Sequence, residues 1–251
     1  MAESAPIRLS WSRLTHVGAR AANQDALGDA CAGDLACFVL ADGAGGHAGG
    51  EVAAHTVVQT MLAAFQAAPG APAIERYAAQ ATLAVHAAQQ NSATQRDMST
   101  TLATVIIDCA SARSEWLHLG DSRIYLFRSA RLIAQTRDHS VTQQFIDAGL
   151  AKAGELRQHP QRNLLYGAVG AHGDTAPARS QHDLAPGDAL LLCSDGLWEW
   201  VNEAQMEAAL VQAATSAAWL DALCALAASA NAASGKPRDN YSAYAIFVEA
   251  P

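Results

Sequence analysis

Residues 38–43 read FVLADG, an apolar run that ends in an aspartate followed by a glycine. The same design returns at residues 191–196, LLCSDG, and with a serine after the aspartate at residues 117–122, LHLGDS. Short aliphatic runs bounded by turn residues are typical of buried β-strands. Because a buried strand holds its end in a defined place, the aspartates of these three runs are predicted to converge at one rim of the sheets.

Further strands and helices come in groups around these runs. Aliphatic and β-branched stretches predict strands at residues 7–14, 35–41, 102–108, 116–119, 123–128, 132–135, 189–193 and 243–249. Apolar residues spaced at i, i+3 and i+4 predict helices on both sides of the Pro69–Pro72 break, and at residues 203–213 and 216–232. Strand groups that alternate with helix pairs indicate an α+β domain, in which helices pack outside antiparallel sheets.

The domain organisation follows from what interrupts this rhythm. No internal repeat and no polar linker divides the chain, so residues 1–251 are predicted to form one domain. The segment from about 138 to 165 holds a short amphipathic helix at residues 141–148 and then a polar stretch. It is predicted to form a small flap.

Composition excludes several classes of function. A net charge of −8 and a pI near 5.5 argue against general affinity for nucleic acid or for an anionic membrane, because both need a basic face. The five cysteines are odd in number and form no CxxC motif, which indicates a reducing compartment. With no signal peptide and no membrane-length apolar stretch recognised, a cytoplasmic location is expected.

The recurring aspartates point to metal chemistry. Asp25 and Asp239 add to the three that end apolar runs. A single aspartate after a strand is ordinarily a turn residue or a helix cap. Several carboxylates gathered at one rim repel one another, however, so they need cations. Hard oxygen ligands suit Mg²⁺ or Mn²⁺ and not Zn²⁺.

The sequence resembles the type 2C family of metal-dependent protein serine/threonine phosphatases (PPM), in its bacterial form. The motifs that carry the resemblance occur in the family's order over nearly the whole chain. They are RAANQD at 20–25, DGAGGHAGG at 42–50, MSTT at 98–101, HLGDSRI at 118–124, RDHS at 137–140, HPQRNL at 159–164, SDGLW at 194–198 and DN at 239–240.

The resemblance implies a fold and a set of roles. The fold is a four-layer α-β-β-α sandwich, with two central antiparallel β-sheets flanked by helix pairs and a small flap. Two Mn²⁺ or Mg²⁺ ions are expected, with room for a third. The implied metal ligands are Asp42, the carbonyl of Gly43, Asp195 and Asp239; Asp25 is implied to hold metal-bound water, and Asp121 to bind the third ion.

The implied reaction is hydrolysis of phosphoserine and phosphothreonine by a water that the metal ions activate, with no enzyme nucleophile. Arg20 is expected to clamp the phosphate, because a planar guanidinium can donate two parallel hydrogen bonds to it. A surface salt bridge is the alternative for Arg20. His47 is a candidate proton donor to the leaving group, or else an ordinary loop histidine. Arg123 is expected to brace the Asp121 loop.

Five positions depart from the family pattern. Gln24 stands where many eukaryotic members have glutamate, and Ala44 where they have a histidine proposed as general acid. Ser99 replaces a usual glycine, and Tyr241-Ser242 replaces an aliphatic-threonine pair. None of these changes removes an aspartate of the set, but Ala44 leaves protonation of the leaving group to His47 or to a metal-bound water.

Three alternative functions fit the sequence less well. A catalytically weak regulator that binds phosphoproteins would be expected to lack a ligand aspartate. A nuclease or phosphodiesterase would carry basic and aromatic residues along its substrate groove. Phosphatases that act on anti-sigma-factor antagonists usually lack the 138–165 flap. We therefore expect a monomeric phosphatase that acts on phosphoproteins and opposes a Hanks-type serine/threonine kinase, with no nucleic-acid or membrane partner.

Overall fold

A computed structural model describes residues 6–44, 49–173 and 175–251 of the chain. Their strands are β1 (Arg8–His16), β2 (Asp25–Ala32), β3 (Leu35–Ala44), β4 (Ser99–Thr100), β5 (Leu102–Asp108), β6 (Arg113–Leu119), β7 (Arg123–Arg128), β8 (Arg131–Gln135), β9 (Ala178–Asp183), β10 (Ala189–Cys193) and β11 (Tyr241–Glu249). Their α-helices are α1 (Gly49–Ala67), α2 (Ile74–Asn91), α3 (Val141–Asp147), α4 (Asp195–Trp198), α5 (Glu203–Gln212) and α6 (Ser216–Ser234).

The strands form two antiparallel sheets. One has the order β1-β11-β10-β7-β8, and the other has the order β2-β3-β5-β6-β9, with β4 paired to the end of β3. Both central strands of the aspartate motifs, β3 and β10, lie inside their sheets. Each therefore has neighbours on both sides, which holds its C-terminal end in place.

Side-chain alternation along these strands builds the layers. On β3, Phe38 and Leu40 point between the two sheets, whereas Val39 packs with the helices outside. On β10, Leu192 points between the sheets and Leu191 points outward. Because successive strand residues face opposite sides, a strand covered on both faces must be apolar throughout. This is why the sequence shows uninterrupted aliphatic runs there.

The helices cover the two outer faces. Helices α1 and α2 pack on the sheet that contains β3, and α4, α5 and α6 pack on the sheet that contains β10. The predicted four-layer α-β-β-α sandwich is confirmed. The helix predicted at 203–213 is α5, and Asn202 caps its N-terminus: the Asn202 side chain accepts a hydrogen bond from the Gln205 amide at 2.9 Å. Among the described residues, every helix is too short or too polar to span a membrane.

Three strands were not predicted from the sequence: the two-residue strand β4 and the longer strands β2 and β9. Strand β2 reads DALGDACA and strand β9 reads ARSQHD, and both lie at the edges of the same sheet. Both consist mainly of alanine, glycine, aspartate and polar residues, which carry little strand signal. The edge strands β1 and β8 of the other sheet contain more aliphatic and aromatic residues and were predicted.

The segment predicted as a flap holds α3 and a 3₁₀ helix at Ala153–Gln158. Its two ends meet, because Ser140 and Leu165 form a β-bridge and the Val141 amide donates to the Leu164 carbonyl at 2.8 Å. The intervening residues thus leave the sandwich and return to it at one place.

We expect Leu192→Ala to lower the free energy of unfolding by about 2–5 kcal/mol, because Leu192 is fully buried between the sheets and truncation leaves a cavity. Urea unfolding followed by circular dichroism measures the change. The matched control is Leu83→Ala, whose side chain is 68% exposed on α2 and whose loss should cost no more than about 0.5 kcal/mol. Equal effects of the two substitutions would contradict this packing.

Candidate active site

A cleft of about 200 Å³ lies at the rim where the aspartate-bearing strands end. The described residues that line it include six of the predicted site residues: Arg20, Asp42, Gly43, Asp121, Asp195 and Asp239. Gln24, Ala44, Thr101, Asn163, Leu165 and Asn240 complete the lining. The structure thus brings together residues that are far apart in sequence. His47 lies outside the described residues.

Each aspartate reaches the cleft from the end of a strand. Asp42 lies near the C-terminal end of β3, and Asp121 follows β6. Asp195 opens α4 directly after β10, and Asp239 precedes β11. Asp25 begins β2 and stands opposite Asp42 in the antiparallel register, so it lies beside the cleft without lining it.

Glycines let backbone segments approach closely around these aspartates. A Cβ atom added to Gly196 would lie 2.0 Å from the carbonyl oxygen of Asn240, and one added to Gly43 would lie 2.2 Å from that of Gly50. Neither glycine could carry a side chain without displacing backbone. The glycines that follow Asp42 and Asp195 therefore allow two backbone segments of the site to pack against each other.

Hydrogen bonds hold the backbone of Asp42 from both sides. Its amide donates to the Thr101 hydroxyl at 2.9 Å, and its carbonyl accepts from the Thr100 hydroxyl at 2.9 Å and from the Thr101 amide at 2.9 Å. Both threonines belong to the MSTT motif at 98–101. Ser194 of the SDGLW motif, for which the sequence predicted no role, donates from Oγ to Asp25 Oδ2 at 2.8 Å.

Asn240 ties the Arg20 loop to Asp239. Its side-chain nitrogen donates to the carbonyls of Val17 at 2.8 Å and Ala22 at 3.0 Å, and its side-chain oxygen accepts from the Gln24 amide at 2.9 Å. Only the DN motif hinted at this residue, because its partners are more than 200 positions away in sequence.

Arg20 is the only cationic side chain among the described residues of the cleft. Its Nη2 atom donates to Asp239 Oδ2 at 2.5 Å, and its side chain is 61% exposed. This ion pair raises the pKa of Arg20. The position at the rim leaves the guanidinium within reach of a ligand that enters from solvent.

The carboxylates raise one another's pKa. Burial, with the charges of neighbouring acids, raises the pKa of Asp42 and of Asp195 well above the usual range. Burial also raises the pKa of Asp25 to about 6, and burial with the nearby charge of Asp138 raises the pKa of Asp121 to about 7. Such shifts mark a cluster whose negative charge is not compensated by the protein.

The donor set fits a hard divalent cation. Asp25 Oδ1 is buried and has no hydrogen-bond partner among the described residues, although an unpaired buried carboxylate oxygen is costly. The cleft offers carboxylate and carbonyl oxygens and no histidine or cysteine among its described lining. Within those same residues, no group of three or more His, Cys, Asp or Glu side chains is already in position to hold a metal ion. Mg²⁺ and Mn²⁺ suit such a site, since Mg²⁺ usually takes one or two carboxylates and keeps several waters.

Arg123 braces the loops that carry Asp121 and Asp195. It is buried, donates from Nε and Nη2 to the two carboxylate oxygens of Asp138 at 2.8 Å each, and stacks 3.5 Å from the centre of the Trp198 ring. Trp198 Nε1 in turn donates to the Asp121 carbonyl at 2.9 Å. The buried ion pair, the indole and the Asp121 loop thus form one connected unit.

The chain is similar in sequence to known protein phosphatases. Residues 14–237 match the family model described as "Protein phosphatase 2C". Over 173 residues, or 66% of this chain, the sequence is 35% identical to the serine/threonine protein phosphatase PstP of Mycobacterium tuberculosis. Over 176 residues, or 67% of the chain, it is 30% identical to the serine/threonine phosphatase stp of Listeria innocua, of which the match covers 69%.

A solved structure extends the similarity to the whole fold. The catalytic domain of the serine/threonine protein phosphatase PstP in complex with two manganese ions superposes with a TM-score of 0.81 at 28% identity, covering 97% of this chain and 99% of that one. The sequence match covers 32% of the full-length PstP, so this chain spans about a third of the first curated relatives that it matches.

We expect Asp121→Asn to stabilise the protein in EDTA, and more at pH 8 than at pH 5. Folding raises the pKa of Asp121 to about 7 from an ordinary value of 3.8, so the native state binds more protons between these pH values. The stability of the wild type therefore falls as pH rises through this window, whereas the uncharged amide escapes the penalty. Thermal melts of both proteins at each pH measure the difference, to which the lower pKa of Asp195 in the absence of the Asp121 charge contributes in the same direction. A difference that does not grow with pH would contradict a raised pKa.

Proposed function

Because the chain belongs to the protein phosphatase 2C family, we propose that it is a metal-dependent phosphatase that hydrolyses phosphoserine and phosphothreonine in proteins. The observation that carries the proposal is the cleft in which four aspartates meet beside one exposed arginine. We propose further that residues 1–251 act as one phosphatase domain, with a flap at about 138–165.

The proposal assigns the aspartates to cations. Asp42, Asp195, Asp239 and the Gly43 carbonyl would hold two Mn²⁺ or Mg²⁺ ions, with Asp25 beside them, and Asp121 would serve a third ion. The raised pKa values and the unpaired Asp25 oxygen support this assignment, because both reflect negative charge that the protein itself leaves uncompensated. When bound, such ions activate water and stabilise charge on a phosphoryl group.

The chain's own residues supply binding and orientation. Arg20 would bind the phosphate of the substrate, since its guanidinium is exposed at the cleft and donates in a planar fork. Thr100 and Thr101 keep the Asp42 backbone in place, and Asn240 keeps the Arg20 loop next to Asp239. A phosphate bound by Arg20 would therefore be held in a defined orientation relative to Asp42 and Asp239.

Cysteine chemistry is not favoured. No cysteine belongs to the described lining of the cleft, and burial raises the pKa of the Cys37 and Cys193 thiols to about 12. A thiol with such a pKa remains protonated near neutral pH and is a poor nucleophile. Attack by water, without a covalent enzyme intermediate, accords with these residues.

The proton donor and the cellular setting rest on sequence. Ala44 lines the cleft and has no proton to donate. We therefore assign to His47, three residues later in the sequence, the donation of a proton to the leaving group. We further propose a monomeric, cytoplasmic enzyme whose phosphoprotein substrates are produced by a Hanks-type serine/threonine kinase. The free state of all five cysteines supports a reducing compartment.

The first test is hydrolysis of p-nitrophenyl phosphate and of a phosphothreonine peptide with Mn²⁺, Mg²⁺, Zn²⁺ or EDTA. We expect activity with Mn²⁺ or Mg²⁺ only, and a loss of roughly 100-fold or more in Asp195→Ala, because even changes behind metal ligands cost about 10- to 100-fold. The matched control, Asp221→Ala, changes an exposed aspartate on α6 and should leave the rate unaltered. A folded wild type that is inactive with every metal would contradict the proposal and favour a phosphoprotein-binding regulator.

Arg20→Ala should lower kcat/KM for the phosphothreonine peptide by roughly 10- to 100-fold, because it removes charge-assisted hydrogen bonds to the phosphate. Arg20→Lys should recover part of this loss, since it keeps the charge but not the fork. Arg13→Ala is the control: Arg13 is 57% exposed and pairs with Asp29 at 2.8 Å, but it does not line the cleft. Similar kinetics for Arg20→Ala and Arg13→Ala would assign Arg20 to a surface salt bridge.

A further inference from the structure

A second cavity, of about 470 Å³, opens next to the cleft. We call it the basic pocket, because its described lining includes three cations, Arg157, Arg162 and Lys236, and one carboxylate, Glu199. The chain as a whole is acidic, with a net charge of −8. Three cations at one cavity are therefore unusual for the overall charge of this protein.

Two of the three cations are already paired. Arg162 donates to both carboxylate oxygens of Glu199, with 3.1 Å between Nη2 and Oε2. Arg157 Nη2 donates to Glu203 Oε1 at 2.6 Å, whereas its Nη1 atom is buried without a hydrogen-bond partner in the part of the chain that the structure describes. Three cations thus face two carboxylates.

Lys236 supplies the remaining charge. It is exposed at the pocket and forms no ion pair with the described residues. It follows the C-terminal end of α6, where helix carbonyls carry partial negative charge. The full charge of an ammonium group outweighs that partial charge, so the pocket keeps an attraction for anions.

The basic pocket and the cleft are joined through three chain segments. Arg162 lines the pocket and Asn163 lines the cleft. Asp195 in the cleft opens α4, and Glu199 in the pocket is its C-cap, one helical turn later and a rise of about 6 Å. Lys236 precedes Asp239 by three residues, a span of at most about 10 Å.

We propose that the basic pocket binds an acidic or phosphorylated side chain of the substrate, two or three positions from the phosphoresidue in the cleft. The proposal rests on the phosphatase function proposed above. An extended peptide advances about 3.3 Å per residue, so two or three residues cover the separation of about 6–10 Å. Lys236 is the specificity-determining residue, because its charge is not engaged by the protein.

The test compares phosphothreonine peptides that are otherwise uncharged and carry one glutamate, or a glutamine in its place, two or three positions before or after the phosphothreonine. We expect the wild type with Mn²⁺ to prefer glutamate at one of these positions by roughly 2- to 5-fold in kcat/KM, the scale of an exposed ion pair. Lys236→Ala should remove the preference, and Lys236→Glu should reverse it. Each rate is normalised to p-nitrophenyl phosphate hydrolysis by the same variant.

Lys152→Glu is the matched control, because Lys152 is the other lysine of the chain, is exposed and does not line the basic pocket. It should keep the wild-type preference. The preference should also fade between about 0.05 M and 0.5 M NaCl, since salt screens exposed charges.

The outcomes separate this inference from the function on which it rests. If no peptide and no p-nitrophenyl phosphate is hydrolysed, the phosphatase proposal itself fails. If all peptides are hydrolysed at equal rates, or if Lys152→Glu and Lys236→Glu behave alike, only the basic pocket's role is overturned. A free anion as its ligand would instead appear as a Lys236-dependent effect of sodium phosphate on p-nitrophenyl phosphate hydrolysis, with no difference between peptides.

Discussion

Repulsion among four carboxylates in one small cleft is the constraint around which the neighbouring structure is arranged. Asp42 and Asp195 are half-buried, and both desolvation and the charges of neighbouring acids raise the pKa of each. Gathering such groups costs free energy, which packing elsewhere in the fold has to offset. Strands β3 and β10 provide that packing, because both are aliphatic on two faces and both end at the cleft.

Several hydrogen bonds around the site are made to the backbone atoms of the aspartates and not to their carboxylate oxygens. The amide and carbonyl of Asp42 bond to threonines, and the carbonyl of Asp121 accepts from Trp198. The Asp25 oxygen Oδ1 is left without a partner among the described residues. A site built this way has a stable frame and oxygen atoms that remain available to a cation. Only Asp239 among the four aspartates of the described cleft lining pairs with an arginine of that lining, Arg20, and pairing the other three in the same way would occupy their oxygens.

The sequence predicted the inner strands and the aspartates well, for a physical reason that also explains its misses. Burial on two faces demands aliphatic runs, so β3 and β10 were visible from composition alone. Strands β2 and β9 were missed, because they are built mainly from alanine, glycine, aspartate and polar residues, which carry little strand signal. The resemblance to a known family then placed Asp25 in the site, although nothing in the local pattern predicts the strand that it begins.

The supporting contacts were harder to predict than the site residues. Asn240 donates hydrogen bonds to Val17 and Ala22 only because the loop between β1 and β2 meets the start of β11. No local spacing in the sequence predicts that contact. The stack of Arg123 on Trp198 likewise joins residues 75 positions apart, which share no motif. Motifs record which side chains carry the chemistry, whereas the contacts that orient them depend on the register of strands and on where glycines allow backbones to touch.

Charge is distributed unevenly around the rim, and this has a consequence for any anionic ligand. Four aspartates against Arg20 leave the cleft lining with a formal charge of about −3, which repels phosphate, whereas two divalent cations would change that charge to about +1. The three cations of the basic pocket, set against Glu199 and Glu203, leave a formal charge of about +1 there. Because Asp195 opens α4 in one cavity and Glu199 caps it in the other, the two charge clusters meet within one helical turn. A phosphorylated and acidic peptide would then face attraction along its whole length only when the cations are in place, so metal occupancy would govern substrate binding as well as catalysis.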